Sequence, residues 1–253
     1  MSLVEDVITW KTWNGLSPHS WTHTPSGTPV GVLLFLVQSG TTNDRVTSVT
    51  YGGVPMSRVR YVADASSPTE LGASYVYVLG SGVPSGAQSV SVTNTGGEFA
   101  TWTVTFTGTT NLGVSASAST GVLGANPSLT MPTNADFAGI AYACSFSGQV
   151  LASITAGSGY TLQAGSVATG HAFGASSSAI FMSGAKTGAN VVADYTCVSD
   201  DVAFIAVAVM SPAQHQQYLV KDAGIFTQRE ADVKIAGVFG VKPRKVKIGG
   251  SFV

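Results

Sequence analysis

The chain has 253 residues, with 12 Lys and Arg against 13 Asp and Glu for a formal net charge of −1. Charged residues make up only 10% and hydrophobic residues 44%, with a mean hydropathy of +0.28. This balance excludes a disordered chain, which needs low hydrophobicity and high net charge, and a nucleic-acid binder, whose phosphate contacts need clustered Lys and Arg.

Taken in chain order, the pattern is almost all β. Three tryptophans, Trp10, Trp13 and Trp21, fall in a first stretch, residues 1–24, set apart as an N-terminal segment. Glu5 and Asp6 stand where a secretory signal needs a basic region, so no signal is expected. Residues 30–38 form a continuous apolar run, fit for a strand buried on both faces. Residues 46–51 alternate, and Gly52-Gly53 predicts a hairpin turn, because glycine takes positive φ without a Cβ clash. Residues 54–61 read as the return strand, with Pro55 placing its start at a sheet edge. Residues 74–79, 88–93 and 101–107 alternate again; in the last, Trp102, Val104 and Phe106 are expected to face the core and the threonines water. Further on, residues 137–146, 179–182, 190–197 and 202–210 read as strands, and Gly/Ser/Ala-rich stretches at 156–159 and 165–178 as loops. The apolar runs fall short of the about 20 residues of a membrane-spanning helix, so a soluble protein without membrane insertion is expected.

Roughly ten to twelve short strands with regular turn signals point to an antiparallel β-sandwich or barrel. The fold class expected is all-β: a jelly-roll-like antiparallel β-sandwich over residues 25–212, both halves covering one core, with a short C-terminal β-hairpin appendage. Composition changes near residue 212. Up to residue 220 there are 5 Lys and Arg against 10 acids, and from Lys221 onward 7 against 3, so an acidic body carries a basic end, residues 213–253. That end holds a repeat: Val233-Lys-Ile-Ala-Gly-Val-Phe239 matches Val246-Lys-Ile-Gly-Gly-Ser-Phe252 at an offset of 13. Each copy is a short alternating strand broken by glycine. A lone hairpin of this size cannot bury enough surface to stand alone, so it is expected to pack on the body, on a second copy or on a neighbouring protein. Lys234, Phe239, Lys245, Lys247 and Phe252 are the candidate assembly contacts.

Reacting groups are sparse. His19 and His23 are four apart, but Pro18 and Pro25 argue against a helix that would place them on one face. No zinc motif, EF-hand loop, nucleophile elbow or phosphate-binding Gly loop occurs. Asp194, Asp200 and Asp201 could touch a Ca²⁺, against the plainer reading of a solvated turn. No enzyme activity, cofactor or metal is expected. Cys144 and Cys197 read as buried free thiols, with a bridge open if facing strands hold them. Trp10, Trp13, Trp21, Tyr75 and Tyr77 are candidate ligand-contact aromatics, because such rings stack on sugars or anchor interfaces; core packing is the plainer alternative. Tyr75 and Tyr77, two apart on one strand, are expected to face the same side.

Three stretches in order resemble a known family: Ser20-Trp-Thr-His-Thr-Pro-Ser-Gly-Thr-Pro-Val-Gly31, Val46-Thr-Ser-Val-Thr-Tyr-Gly-Gly-Val54, and Tyr77-Val-Leu-Gly-Ser-Gly-Val-Pro-Ser-Gly86 followed by Val90-Ser-Val92. They resemble a β-rich module of tailed-bacteriophage minor tail and tail-fibre proteins. The end repeat is similar to the Val-Lys-Val-Gly-Gly-x-Trp units that close many minor tail proteins of actinobacterial phages, with Phe239 and Phe252 in place of Trp and Ala236 in the first copy. The resemblance covers about residues 20–212 and 232–253 and carries over no catalytic residue. It implies a virion structural protein, made in the host bacterial cytoplasm and working in the tail. Its implied partners are other virion proteins and sister chains, a trimer first, with a host surface glycan as a further contact. A carbohydrate-binding module or adhesin, and a head-decoration protein on the capsid, are the alternatives.

Overall fold

The computed structural model describes residues 3–15, 17–64, 71–108, 111–163, 171–173, 177–198, 200–210, 216–222, 225–231, 247–248 and 251–252. The chain divides into two compact units, Met1–Pro212 and Ala213–Val253. All but one of the elements are strands; the exception is a 3-10 turn at Leu151–Ser153. The all-β antiparallel sandwich read from the alternation is therefore the observed fold class.

The first half of the larger unit contains β1 (Val4–Asn14), β2 (His19–His23), β3 (Gly31–Ser39), β4 (Val46–Tyr51), β5 (Val54–Pro55), β6 (Ser57–Ala63), β7 (Gly72–Leu79), β8 (Gln88–Asn94) and β9 (Glu98–Thr107). The second contains β10 (Gly113–Gly124), β11 (Ser128–Met131), β12 (Ala138–Ser147), β13 (Thr155–Ala156), β14 (Thr161–Leu162), β15 (His171–Phe173), β16 (Ser177–Thr187), β17 (Val191–Thr196) and β18 (Asp200–Met210). In the first half one sheet runs β1-β9-β3-β7-β6 and the other β2-β8-β4-β5. In the second, one runs β10-β18-β12-β16-β14, with β15 also on β16, and the other pairs β11-β17-β13. Taking β5 and β6 as one strand that changes sheets, the first order is 1-8-3-6 facing 2-7-4-5, the jelly-roll arrangement. The second half repeats it strand for strand, except that its fifth strand, β14, lies wholly in the first sheet. The body is thus two jelly rolls in tandem, where the sequence pattern suggested one.

Three cores follow from this arrangement. Val32, Leu34, Leu36, Tyr51, Tyr75 and Val90 fill the first sandwich. Leu129, Met131, Tyr195, Phe204 and Ala206 fill the second. Between the two, the first sheet of each half packs face to face through Phe35, Trp102, Phe106, Tyr142, Phe181 and Ile205. β3 and β18 are therefore buried on both faces, as the apolar run at 30–38 predicts. The same double burial corrects the reading of β9. Thr101, Thr103 and Thr105 are fully buried inside the first sandwich side, not in water. Their methyls suit an apolar face, and two of the hydroxyls find partners there: Thr101 Oγ1 donates to the Lys11 carbonyl at 3.1 Å, and Thr105 joins the network described below.

Local chemistry explains several boundaries. Gly52 and Gly53 take φ of 56° and 80°, the left-handed pair a tight hairpin between β4 and β5 requires. Pro55 lies in β5, the edge strand of its sheet, where its missing N–H costs no ladder bond. The return strand then breaks at Met56, and β6 joins the other sheet against β7. The tryptophan-rich stretch is not a separate segment: β1 pairs along β9 and β2 along β8.

Polar contacts brace the joint between the jelly rolls. Ser74 Oγ donates to the Ala203 carbonyl at 2.7 Å and accepts from the Phe146 amide at 3.1 Å. Tyr142 donates to Glu5 at 2.5 Å. Arg60 donates to the hydroxyl and the carbonyl of Ser117, both at 2.9 Å.

In the smaller unit, β19 (Gln216–Asp222) pairs antiparallel with β20 (Ile225–Ala231), and β21 (Lys247–Ile248) with β22 (Ser251–Phe252). Within the second repeat copy Lys247 stands opposite Phe252 and Ile248 opposite Ser251, so its described residues pair with each other instead of forming one strand. The first copy, with Lys234 and Phe239, and also Lys245, lie outside the described residues.

Phe181 is fully buried and lies within 4.7 Å of Phe35, 5.3 Å of Trp102 and 6.0 Å of Tyr142, centroid to centroid. Phe181→Ala is expected to cost about 3–5 kcal/mol through the cavity it leaves. Urea unfolding checks this: a midpoint within error of the parent would mean the two first sheets do not rely on this packing.

Candidate functional site

Two groupings of side chains could bear chemistry: an aromatic cluster at one end of the first sandwich, and a buried hydrogen-bond chain around His23. The aromatic cluster arises from alternation on β1 and β2. Odd positions of β2 face inward, which buries Trp21 and His23 and half-buries His19. Trp13, opposite Phe99 on β9, stacks on His19 at 4.8 Å, on Phe99 at 5.3 Å and against Trp21 at 5.4 Å. Asn94 closes the group, donating to the Gly15 carbonyl at 3.2 Å.

Of the five candidate ligand-contact aromatics, three are core residues. Tyr75 and Tyr77 do face the same side, and that side is the interior of the first sandwich. The Tyr75 hydroxyl donates to Gln38 at 2.9 Å and accepts from the Arg45 amide at 3.2 Å, and burial holds its ionisation well above the ordinary range. Burial likewise pushes Tyr77 up to about 12. Trp21 is buried with them. Trp10, opposite Trp102, is half-buried against the central core. Trp13, also half-buried, is the candidate that retains a stacking partner at the rim, His19.

The second grouping was not singled out in the sequence. His23 is fully buried between Thr9 and Thr105, 2.9 Å from one hydroxyl and 3.1 Å from the other. Thr105 donates onward to Asp6 at 3.3 Å, so His23 Nε2 donates to Thr105 and Nδ1 accepts from Thr9. Asp6 also accepts the Ser26 amide at 3.0 Å and the Ser26 hydroxyl. Burial drives His23 down to about 4, against the pull of Asp6. Burial would raise Asp6, but hydrogen bonds from Ser26 and Thr105 outweigh it and hold the carboxylate below its usual value. The chain ties β1, β2 and β9 together around a neutral imidazole. The signal available in sequence was the parity of His23 with Trp21, which already placed the ring indoors.

Asp201 is 2% exposed on β18, which overturns its reading as a solvated turn. Asp194 lies on β17, and the Asp200 side chain is outside the described residues. Among the described residues, no group of three or more His, Cys, Asp or Glu could hold a metal ion, and no helix is long and apolar enough to cross a membrane. Cys144 and Cys197 form no disulfide and are buried, one in the central core and one in the second sandwich. Of the candidate assembly contacts, Lys247 and Phe252 are cross-strand partners in the small C-terminal hairpin. No family model, curated protein or solved structure matches the chain.

The His23 network sets an acid limit. A histidine lowered in the folded state favours folding above its ordinary value of 6.5, and that contribution is lost as pH falls from 6.5 through about 4. The loss amounts to about 3 kcal/mol when complete. His23→Gln, compared with the parent by thermal unfolding across this range, is expected to flatten the acid decline; an unchanged decline would place it elsewhere.

Proposed function

We propose that the chain is a bacteriophage virion structural protein, a minor tail or tail-fibre component that works by contact and not by a reacting centre. The observation that carries this reading is the order of motifs along the chain, Thr-Tyr-Gly-Gly hairpin, Gly/Pro turn, Val-x-Val strand and closing Val-Lys-Ile-Gly-Gly-Ser-Phe repeat. The geometry is in keeping with it. Two of the motifs build the sandwich: the hairpin joins β4 to β5, and the Val-x-Val pair lines the core from β8. The described strands of residues 213–253 are two to seven residues long and pair two by two, too small to be stable unaided. Their basic surplus and two-stranded pairing suit docking to sister chains or a neighbouring virion protein, a homotrimer first.

A host-glycan adhesin is the second reading, favoured by the half-buried Trp13 stacked on His19. Trp13→Ala separates the two: loss of glycan-array binding with assembly intact would favour the adhesin.

Solution mass tests the assembly reading directly. The full chain is expected to measure as an oligomer, and a chain ending at Pro212 as a monomer with the same β-rich circular dichroism. A monomer in both forms would remove the docking role from the C-terminal hairpins.

A further inference from the structure

Most sheet edges of the larger unit are guarded against pairing with another chain. β1 carries Glu5, Asp6 and Lys11 with a bulge between Glu5 and Ile8, β6 carries Arg58 and Arg60 with a bulge of its own, and β5 carries Pro55. β2, β11, β13 and β14 are short, at two to five residues. β10 is different: it runs for 12 residues and holds no charged residue and no proline. Among the described residues, no strand pairs with it on the side away from β18. After a bulge between Val114 and Ala116, its ladder with β18 is regular from Ala116 to Gly124.

The direction of its backbone groups follows from β18. The Gly148 amide donates to the Asp201 carbonyl at 3.0 Å, and a Cβ on Gly139 would fall 2.2 Å from the Val209 carbonyl oxygen. Gly139 lies on β12 and Gly148 directly follows it, so the odd-numbered carbonyls of β18 turn toward β12. Successive residues of a strand turn their backbone groups to opposite neighbours, so the even-numbered residues bond β10. Ala118 opposite Ala206 and Thr120 opposite Phe204 are then hydrogen-bonded pairs. Ser117, Ser119 and Gly121, opposite Val207, Ile205 and Ala203, point their N–H and C=O outward to the open edge. Arg60 stands at this edge. It faces the joint from β6, opposite Val76 of the central core, and donates from Nε to the Ser117 hydroxyl and from Nη2 to the Ser117 carbonyl, both at 2.9 Å. Its guanidinium thus occupies an outward carbonyl that an added strand would need. We propose that β10 is a docking edge for the β10 of a second copy, held closed by Arg60. An antiparallel pairing centred on Ser119 opposes Ser119 to its own equivalent, Ala118 to Thr120 and Ser117 to Gly121. Every opposed residue is small and uncharged, so the edge is self-complementary about a two-fold axis.

The test uses the full chain and its Arg60→Ala variant, compared by solution mass across one concentration series. The variant is expected to reach at least about twice the parent's mass, with the same β-rich circular dichroism. Because the comparison is with the parent, it stands whether or not the virion reading holds. Ser119→Pro supplies the control: the Ser119 N–H bonds nothing on β18, so proline there costs no internal ladder bond but blocks an added strand. Arg60→Ala combined with Ser119→Pro is expected to return to the parent's mass, which association through unfolding would not do. Hydrogen exchange reads the same edge without the proline: the Ser119 and Gly121 amides exchange freely in the parent and become protected as the concentration of Arg60→Ala rises. A variant mass equal to the parent's throughout, a rise that survives Ser119→Pro, or unchanged exchange at the two amides would overturn the docking edge. Protection of these amides without any rise in mass would put a segment of the same chain on the edge and overturn the pairing between copies.

Discussion

Everything in the larger unit depends on two sheets being covered on both faces. The sheet β1-β9-β3-β7-β6 has the first sandwich behind it and the sheet β10-β18-β12-β16-β14 in front, and the second sheet is placed likewise. A strand in that position has no wet side, so each of its residues must be apolar, small, or able to settle its own hydrogen bonds. β3 answers with an unbroken aliphatic and aromatic run, β18 with Val, Ile, Phe and Ala. β9 answers with threonine, whose methyl packs while its hydroxyl reaches a carbonyl or a neighbouring side chain. The scarcity of charge in the chain is the compositional trace of the same constraint.

That constraint also separates what was legible in the sequence from what was not. Doubly buried and cleanly alternating strands were plain: residues 46–51 coincide with β4, and residues 30–38 and 202–210 with most of β3 and β18. β10 was hidden because Gly-Val-Ser-Ala-Ser-Ala-Ser-Thr reads as loop composition, and its small residues make a strand only once β18 lies beside it. β1 and β2 were hidden because tryptophans near a terminus suggest a cap as readily as a strand. The tandem repeat escaped because equivalent places carry different residues: the middle of one facing sheet sets Phe35 against Trp102, the middle of the other Cys144 against Ile205. The hydrogen-bond chain around His23 had no local signature beyond the parity of His23 with Trp21. His23 meets Thr105 from 82 residues away.

The polar groups of the larger unit divide by what they brace. His23, Thr105 and Asp6 lock strands within one jelly roll, and Ser74, Tyr142 with Glu5, and Arg60 with Ser117 lock one jelly roll to the other. Asp6, Glu5 and Arg60 in these contacts are partly exposed, as are Trp13 and His19 at the rim.

Having both jelly rolls on one polypeptide removes dilution from the equation. Two separate chains meeting through the same apolar faces would come apart as their concentration fell, whereas the short connection from β9 to β10 keeps each roll at a high effective concentration for the other. The joint therefore holds equally well at high and at low concentration of the protein.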